Sequence, residues 1–182
     1  MKVEKQDKQR LIDRFQLAQH PEGGHYRETH RDTQRVARIV EPGGAAKVSR
    51  AASTCIYYML CDGAYSAWHR IHSDEVWHFY AGDPIDVHVI DPDGRLATHR
   101  LGNALAHEEA SFQVIVPAGC WFAAQCAETP DSADAAGFAL VGCTVAPGFE
   151  FSDFELADIA ALAAQYPSHA PLLRQLAPRA HT

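Results

Sequence analysis

Three histidines and three acidic residues fall within WHRIHSDEVWHFYAGD, the stretch from Trp68 to Asp83. Residues of these types do one of two kinds of chemistry at such density. Imidazole and carboxylate groups hold divalent metals, or they move protons near neutral pH. Strand alternation sorts them. If His69 points inward, Ile71 does too, and His72 falls on the other face or in the turn at Ser73-Asp74. On the return strand Glu75, Trp77 and Phe79 share one face, and Val76, His78 and Tyr80 share the other. His69 and Glu75 then meet in an interior walled by Trp77, Phe79 and Trp121. His72 and His78 lie off that site. Further along, Asp86 and His88 share a strand face and either reach the same cavity or face water. Arg27 and Arg50 are the candidates for an anionic ligand group, because guanidinium pairs well with carboxylate and phosphate.

These residues need a scaffold, and the sequence predicts a mainly β one. STCIYYML, SAWHRIH, EVWHFYAG, PIDVHVIDP, SFQVIVPAG, WFAAQCAE and GFALVGCTVAPG are short runs rich in β-branched and aromatic residues. Turn residues such as Asp62-Gly63 and Asp93-Gly94 separate them. Many short strands at this spacing, with no helical pattern between them, predict an antiparallel sandwich or barrel. Leu11, Ile12 and Phe15 place an amphipathic helix before it. Pro21 and Gly23-Gly24 end that helix, and HYRETHR suits a strand. EPGGAAKVSR reads as a loop. After Gly148 the helical period returns, with Ser152 and Glu155 as a capping box, a stripe of Leu156, Ile159, Ala160 and Ala163, and Ser168 before a last helix with Leu172, Leu173 and Leu176. The expected organisation is a single domain over 1-182, with a barrel core at about 22-150 and a helical tail at about 152-178.

The 182 residues carry 23 acidic and 16 basic side chains, for a net charge of −7. That balance argues against nucleic-acid binding, which needs clustered Lys and Arg. The five cysteines make no CxxC pair and read as reduced, mostly buried thiols. No apolar signal region opens the sequence and no run approaches a membrane span, so the expected location is cytoplasmic. His20, His25, His30, His99, His107, His169 and His181 read as surface residues.

Gly63, five residues, His69, then Glu75, six residues, Gly82 resembles the first motif of the cupins. Pro117-Ala118-Gly119 resembles the centre of the second. HPEGGHYRET, STCIYYML, HRIHSDEVWHFYAGDP, VPAGCWFAA and LVGCTVAPGFEFSDFELA together resemble the fifth-group cupins, domain-of-unknown-function family 985, from His20 to Ala157. The resemblance implies a double-stranded β-helix, the jelly-roll cupin barrel. It also implies likeness in fold to the dTDP-4-dehydrorhamnose 3,5-epimerases, and a homodimer, which would also cover strand edges.

The sequence departs from the metal-binding form of those motifs. His69 and Glu75 fill two ligand positions, but Ile71 and Phe122 stand at the others. The expectation is therefore no metal and no cofactor; a metal site would need His72 turned inward beside His69 and Glu75. The rhamnose epimerases work without metal, through a histidine base and a tyrosine. By that resemblance His69 is the base, Glu75 orients it, and Tyr26, Tyr57, Tyr58 and Tyr65 are the candidate partners. The expected substrate-binding residues are Tyr26, Arg27, Tyr58, Trp77, Phe79, Asp86, His88 and Trp121. The first expectation is a metal-independent epimerase or isomerase acting on a sugar or related polar metabolite. The alternatives are a non-catalytic metabolite-binding protein and a metal-dependent cupin oxygenase or isomerase.

Overall fold

The computed structural model describes residues 5–39, 47–127 and 136–179. Helix α1 (Lys5–Phe15) precedes the strands β1 (Ala18–Gln19), β2 (His25–Arg31), β3 (Arg35–Ile39), β4 (Lys47–Ala51), β5 (Thr54–Cys61) and β6 (Tyr65–Arg70). There follow β7 (Asp74–Gly82), β8 (Ile85–Ile90), β9 (Leu96–Leu101), β10 (Gln113–Val116), β11 (Trp121–Cys126), β12 (Phe138–Ala146) and β13 (Glu155–Leu156). Helices α2 (Ile159–Gln165) and α3 (Ala170–Gln175) close the chain.

Among the described residues the strands form two large antiparallel sheets and a hairpin. One sheet has the order β1-β2-β5-β12-β7-β10, the other β13-β6-β11-β8-β9, and β3 pairs with β4. This is the expected jelly-roll architecture. Of the segment expected as a loop, residues 41–46 lie outside the described residues, while Lys47–Ala51 forms a strand.

Alternation places the core. Tyr58, Leu60, Trp77, Val141 and Cys143 from the first sheet meet Ile85, Val87, Val89, Phe122 and Ala124 from the second. The opposite face of the second sheet is covered by the tail. Trp68, Ile90 and Ala123 pack there against Leu162, Ala163, Leu173 and Leu176. The tail is also fastened by hydrogen bonds. The Trp68 N–H donates to Leu176 O at 3.1 Å, and Tyr65 Oη donates to Ala177 O at 2.8 Å. Helix α1 lies on the outside of the first sheet, with Leu11, Ile12 and Phe15 over Met59, Cys61 and Leu140.

The tail begins later than the capping box predicts. Phe151–Asp153 is a single 3-10 turn, and Glu155 belongs to β13, which pairs with β6. Ser152 accepts from Arg50, and Glu155 pairs with Arg70. The helix starts instead at Asp158, whose carboxylate accepts from Ala160 N at 3.0 Å and Ala161 N at 3.1 Å. The last helix follows a 3-10 turn at Pro167–His169 rather than a Ser168 cap. Asp158→Ala is expected to cost about 1 kcal/mol, read as a lower denaturation midpoint. No change would show that packing alone holds α2.

Candidate functional site

A cavity of about 300 Å³ opens between the two sheets. Two β-bulges decide which side chains reach it. Along β6 the register passes from His69, opposite Phe122, to Ser66, opposite Ala124. Three steps on β6 match two on β11, so Ser66 and His69 both turn inward. Along β2 the register passes from Glu28, opposite Ile56, to His30, opposite Cys55. That extra residue lets both Glu28 and Arg31 reach the cavity mouth. Bulges re-aim side chains in this way and are frequent beside active sites.

His69 is 2% exposed. Its Nδ1 lies 2.7 Å from Ala67 O, so Nδ1 carries the proton and Nε2 offers its lone pair. The group facing Nε2 is Glu22, with Oε2 at 3.1 Å. Ser66 Oγ donates to Glu22 Oε1 at 2.9 Å, and His20 Nδ1 lies 3.5 Å from Oε2. Two glycines bring Glu22 in. Gly23 has φ +114, and a Cβ there would lie 2.1 Å from Tyr65 O. Gly24 has φ +68, with Met59 O 2.7 Å from a Cβ. Only glycine lets the chain press so close at a positive φ. The Ala67 N–H donates to Glu22 O at 2.8 Å, tying the turn to β6. Tyr58 Oη donates to Gly23 O at 2.8 Å and holds it from the other sheet.

Burial sets the charge states. It lowers His69 to about 4, against a smaller opposing pull from Ala67 O. It raises Glu22, with His20 opposing. It raises Glu75 to about 8, helped by the Glu22 charge, while Cys143 and Trp77 beside it pull the other way. Near pH 7 the His69 imidazole is therefore neutral and the Glu75 carboxyl largely protonated. With Nδ1 committed to Ala67 O, a single proton held between Nε2 and Glu22 Oε2 satisfies their 3.1 Å contact.

These shifts carry a stability signature. The Glu75 contribution is full below 4.5 and is lost as pH rises through about 8. The His69 contribution is full above 6.5 and is lost as pH falls through about 4. The two oppose each other between 4.5 and 6.5. Above 6.5 only Glu75 of the two acts, so stability falls toward pH 8 by on the order of 2 kcal/mol. Glu75→Gln is expected to remove most of that slope in denaturant melts at pH 6.5 and 8; an unchanged slope would contradict the protonated state.

Of the residues expected from sequence, His69, Glu75, Tyr26 and Tyr58 line the cavity, as does Ile71. Trp77 and Phe79 face inward as expected but pack in the core behind the lining. The partner of His69 is Glu22, not Glu75. Arg27 is exposed and donates to Phe15 O and Gln16 Oε1 outside the cavity. Arg50 forms a two-pronged pair with Asp153, at 2.7 and 2.8 Å. Asp86, His88 and Trp121 point away, because their strand neighbours Val87, Val89 and Phe122 take the inner face. Asp86 pairs with Arg100, His88 meets Thr98 Oγ1 at 2.9 Å, and Trp121 carries Arg70 over its ring at 4.5 Å. His72 is exposed and 3.8 Å from Asp153, so His69, His72 and Glu75 do not converge. Among the described residues no group of three or more His, Cys, Asp or Glu is arranged to hold a metal ion.

His20, expected at the surface, lines the cavity instead, because the turn at Glu22–Gly24 folds it inward; Glu22, Arg31, Glu150, Phe149, Phe151 and Phe154 line it too, with no signal in the strand pattern. His20 is buried under Tyr26, at 4.5 Å between ring centroids, and stacks on Phe151 at 5.9 Å. The aromatic cluster ends on His69 itself, with Phe154 at 5.3 Å.

Residues 9–157 match the model of the cupin superfamily family DUF985. The chain belongs to that family. An uncharacterised protein of Saccharomyces cerevisiae is 32% identical to this cupin over 150 residues, 80% of this chain and 72% of the yeast protein. A hypothetical protein from Leishmania major superposes with TM-score 0.79 at 35% identity, covering 94% of this cupin and 98% of that chain. A Shewanella oneidensis protein gives 0.76 at 37% identity, covering 92% and 95%. An oxalate decarboxylase matches at TM-score 0.51 and 16% identity, covering 88% of this cupin and 37% of that chain, a likeness of fold alone. No helix among the described residues is long and apolar enough to cross a membrane.

Proposed function

We propose that the cavity binds a small polar metabolite and that the protein is a metal-independent epimerase or isomerase. The observation that carries this reading is the buried contact between His69 Nε2 and Glu22 Oε2. Because Ala67 O fixes Nδ1, the basic nitrogen points at the carboxyl in the cavity wall. The pair shares one proton and can accept a second. That suits removal and return of a proton on carbon beside a carbonyl, where a neutral base and a neutral acid act in turn. Tyr58 and Tyr26 line the same space, and Phe122 and Phe154 keep the imidazole dry.

The test is incubation with carbonyl metabolites, sugars foremost, in deuterated water. Deuterium is expected on the carbon beside the carbonyl, and only with His69 present. Binding without His69-dependent exchange across the panel would leave a metabolite-binding protein instead.

A further inference from the structure

We propose that the cavity takes an uncharged, hydroxyl-bearing ring, an unphosphorylated sugar or cyclic polyol, and discriminates against the phosphorylated forms. This deepens the reading of the cavity as the ligand site and rests on it. Arg31 is the one side chain with a fixed positive charge among the described lining residues, and it is already committed. Its Nε donates to Glu28 Oε1 at 3.0 Å and Nη2 to Glu28 Oε2 at 2.7 Å. Its Nη1 donates to Glu150 Oε1 at 2.7 Å, and Nη2 reaches Phe149 O at 3.2 Å. Of the five N–H groups of a guanidinium, these contacts among the described residues occupy four. Two carboxylates against one guanidinium leave the mouth net negative.

A phosphate entering this mouth would face like charge outside and buried carboxyls at Glu22 and Glu75 inside. Neither place offers a free cation, and an unpaired charge is costly to bury. A hydroxyl meets the opposite conditions. Glu28 and Glu150 keep acceptor capacity beyond what Arg31 uses, and neighbouring hydroxyls donate to such oxygens. Phe149, Phe151 and Phe154 give the mouth an apolar wall for the C–H face of a ring. A cavity of about 300 Å³ is on the scale of one such ring.

The experiment is calorimetric titration of the full chain with unphosphorylated hexoses, deoxyhexoses and inositols. Each is matched by its monophosphate and, where one exists, its nucleoside-diphosphate conjugate. At least one neutral ligand is expected to bind, with its phosphorylated partners weaker by about tenfold or more. The double variant Glu28→Gln with Glu150→Gln frees Arg31, and is expected to weaken neutral binding and narrow or reverse the preference. Phosphorylated forms binding the unaltered protein as tightly as their parents would overturn the proposal. So would an absence of binding by every neutral ligand, or a preference unmoved by the double variant. Neutral binding without isotope exchange would remove the epimerase reading and leave this one standing. His69-dependent exchange on a phosphorylated substrate alone would do the reverse.

Discussion

Replacing His69 by glutamine is expected to slow carbon-proton exchange by a factor of about 10²–10⁴, the usual contribution of a positioned general base. Glutamine keeps a polar side chain of similar reach but has no titratable nitrogen. Glu22→Gln is expected to fall in the same direction by a smaller factor. An amide still donates to Nε2 but cannot pass a proton on. Glu75→Gln is expected to cost less than either, because the imidazole nitrogens are held by Glu22 and Ala67 O rather than by Glu75. The order His69, Glu22, Glu75 is thus the discriminating result, read from deuterium incorporation at saturating substrate. If Glu75→Gln proved the more damaging carboxylate change, Glu22 would be a structural partner and the site would have to be redrawn around Glu75.

Phe122→Ala is expected to cost about 3–5 kcal/mol. Phe122 is fully buried and pairs across strands with both His69 and Val89. Its ring centroid lies 4.0 Å from the imidazole and 6.5 Å from Trp77. Truncation leaves a void directly under His69, which rigid strands cannot close. Water entering there weakens the desolvation that holds His69 low, so its pKa is expected to climb back toward 6.5. Denaturant melts read the first effect and histidine proton resonances the second. A loss under about 1 kcal/mol with an unchanged titration would mean that the barrel collapses onto the gap. Phenylalanine at this position thus has a use of its own: it fixes and dries the His69 imidazole.

Much of this was legible in the sequence where strands run regularly. Period-two alternation correctly places Trp77 and Phe79 together on β7, and Ile71 beside His69; it puts Trp121 inside, whereas Phe122, the residue the cupin motif singles out, takes that place. It fails at the bulges. Strict counting puts Arg27 and Arg31 on one face, and no residue type at Thr29 announces the extra step that separates them. The same holds for Ser66 and His69. Glu22 was hidden for a different reason. It lies in a turn, and strand patterns say nothing of turns. The adjacent glycines were the available signal, since two in succession mark a backbone that something approaches closely. Asp86 and His88 show the converse error. Alternation grouped them, but only the burial of Val87 and Val89 tells which side is inside. The Ser152 capping box was a true local signal overruled by tertiary pairing, because β13 and the Arg50–Asp153 contact take those residues first.

The strand that carries His69 has a second face. Trp68 turns its indole into the helical tail, and its ring N–H reaches Leu172 O at 3.3 Å. The family match stops at residue 157, yet every helical residue shielding Trp68 lies beyond that point. The family's common unit is therefore not a free-standing piece of this molecule. The strand that carries His69 is a shared wall, and whatever loosens the tail on one side will be felt as a less firmly held imidazole on the other.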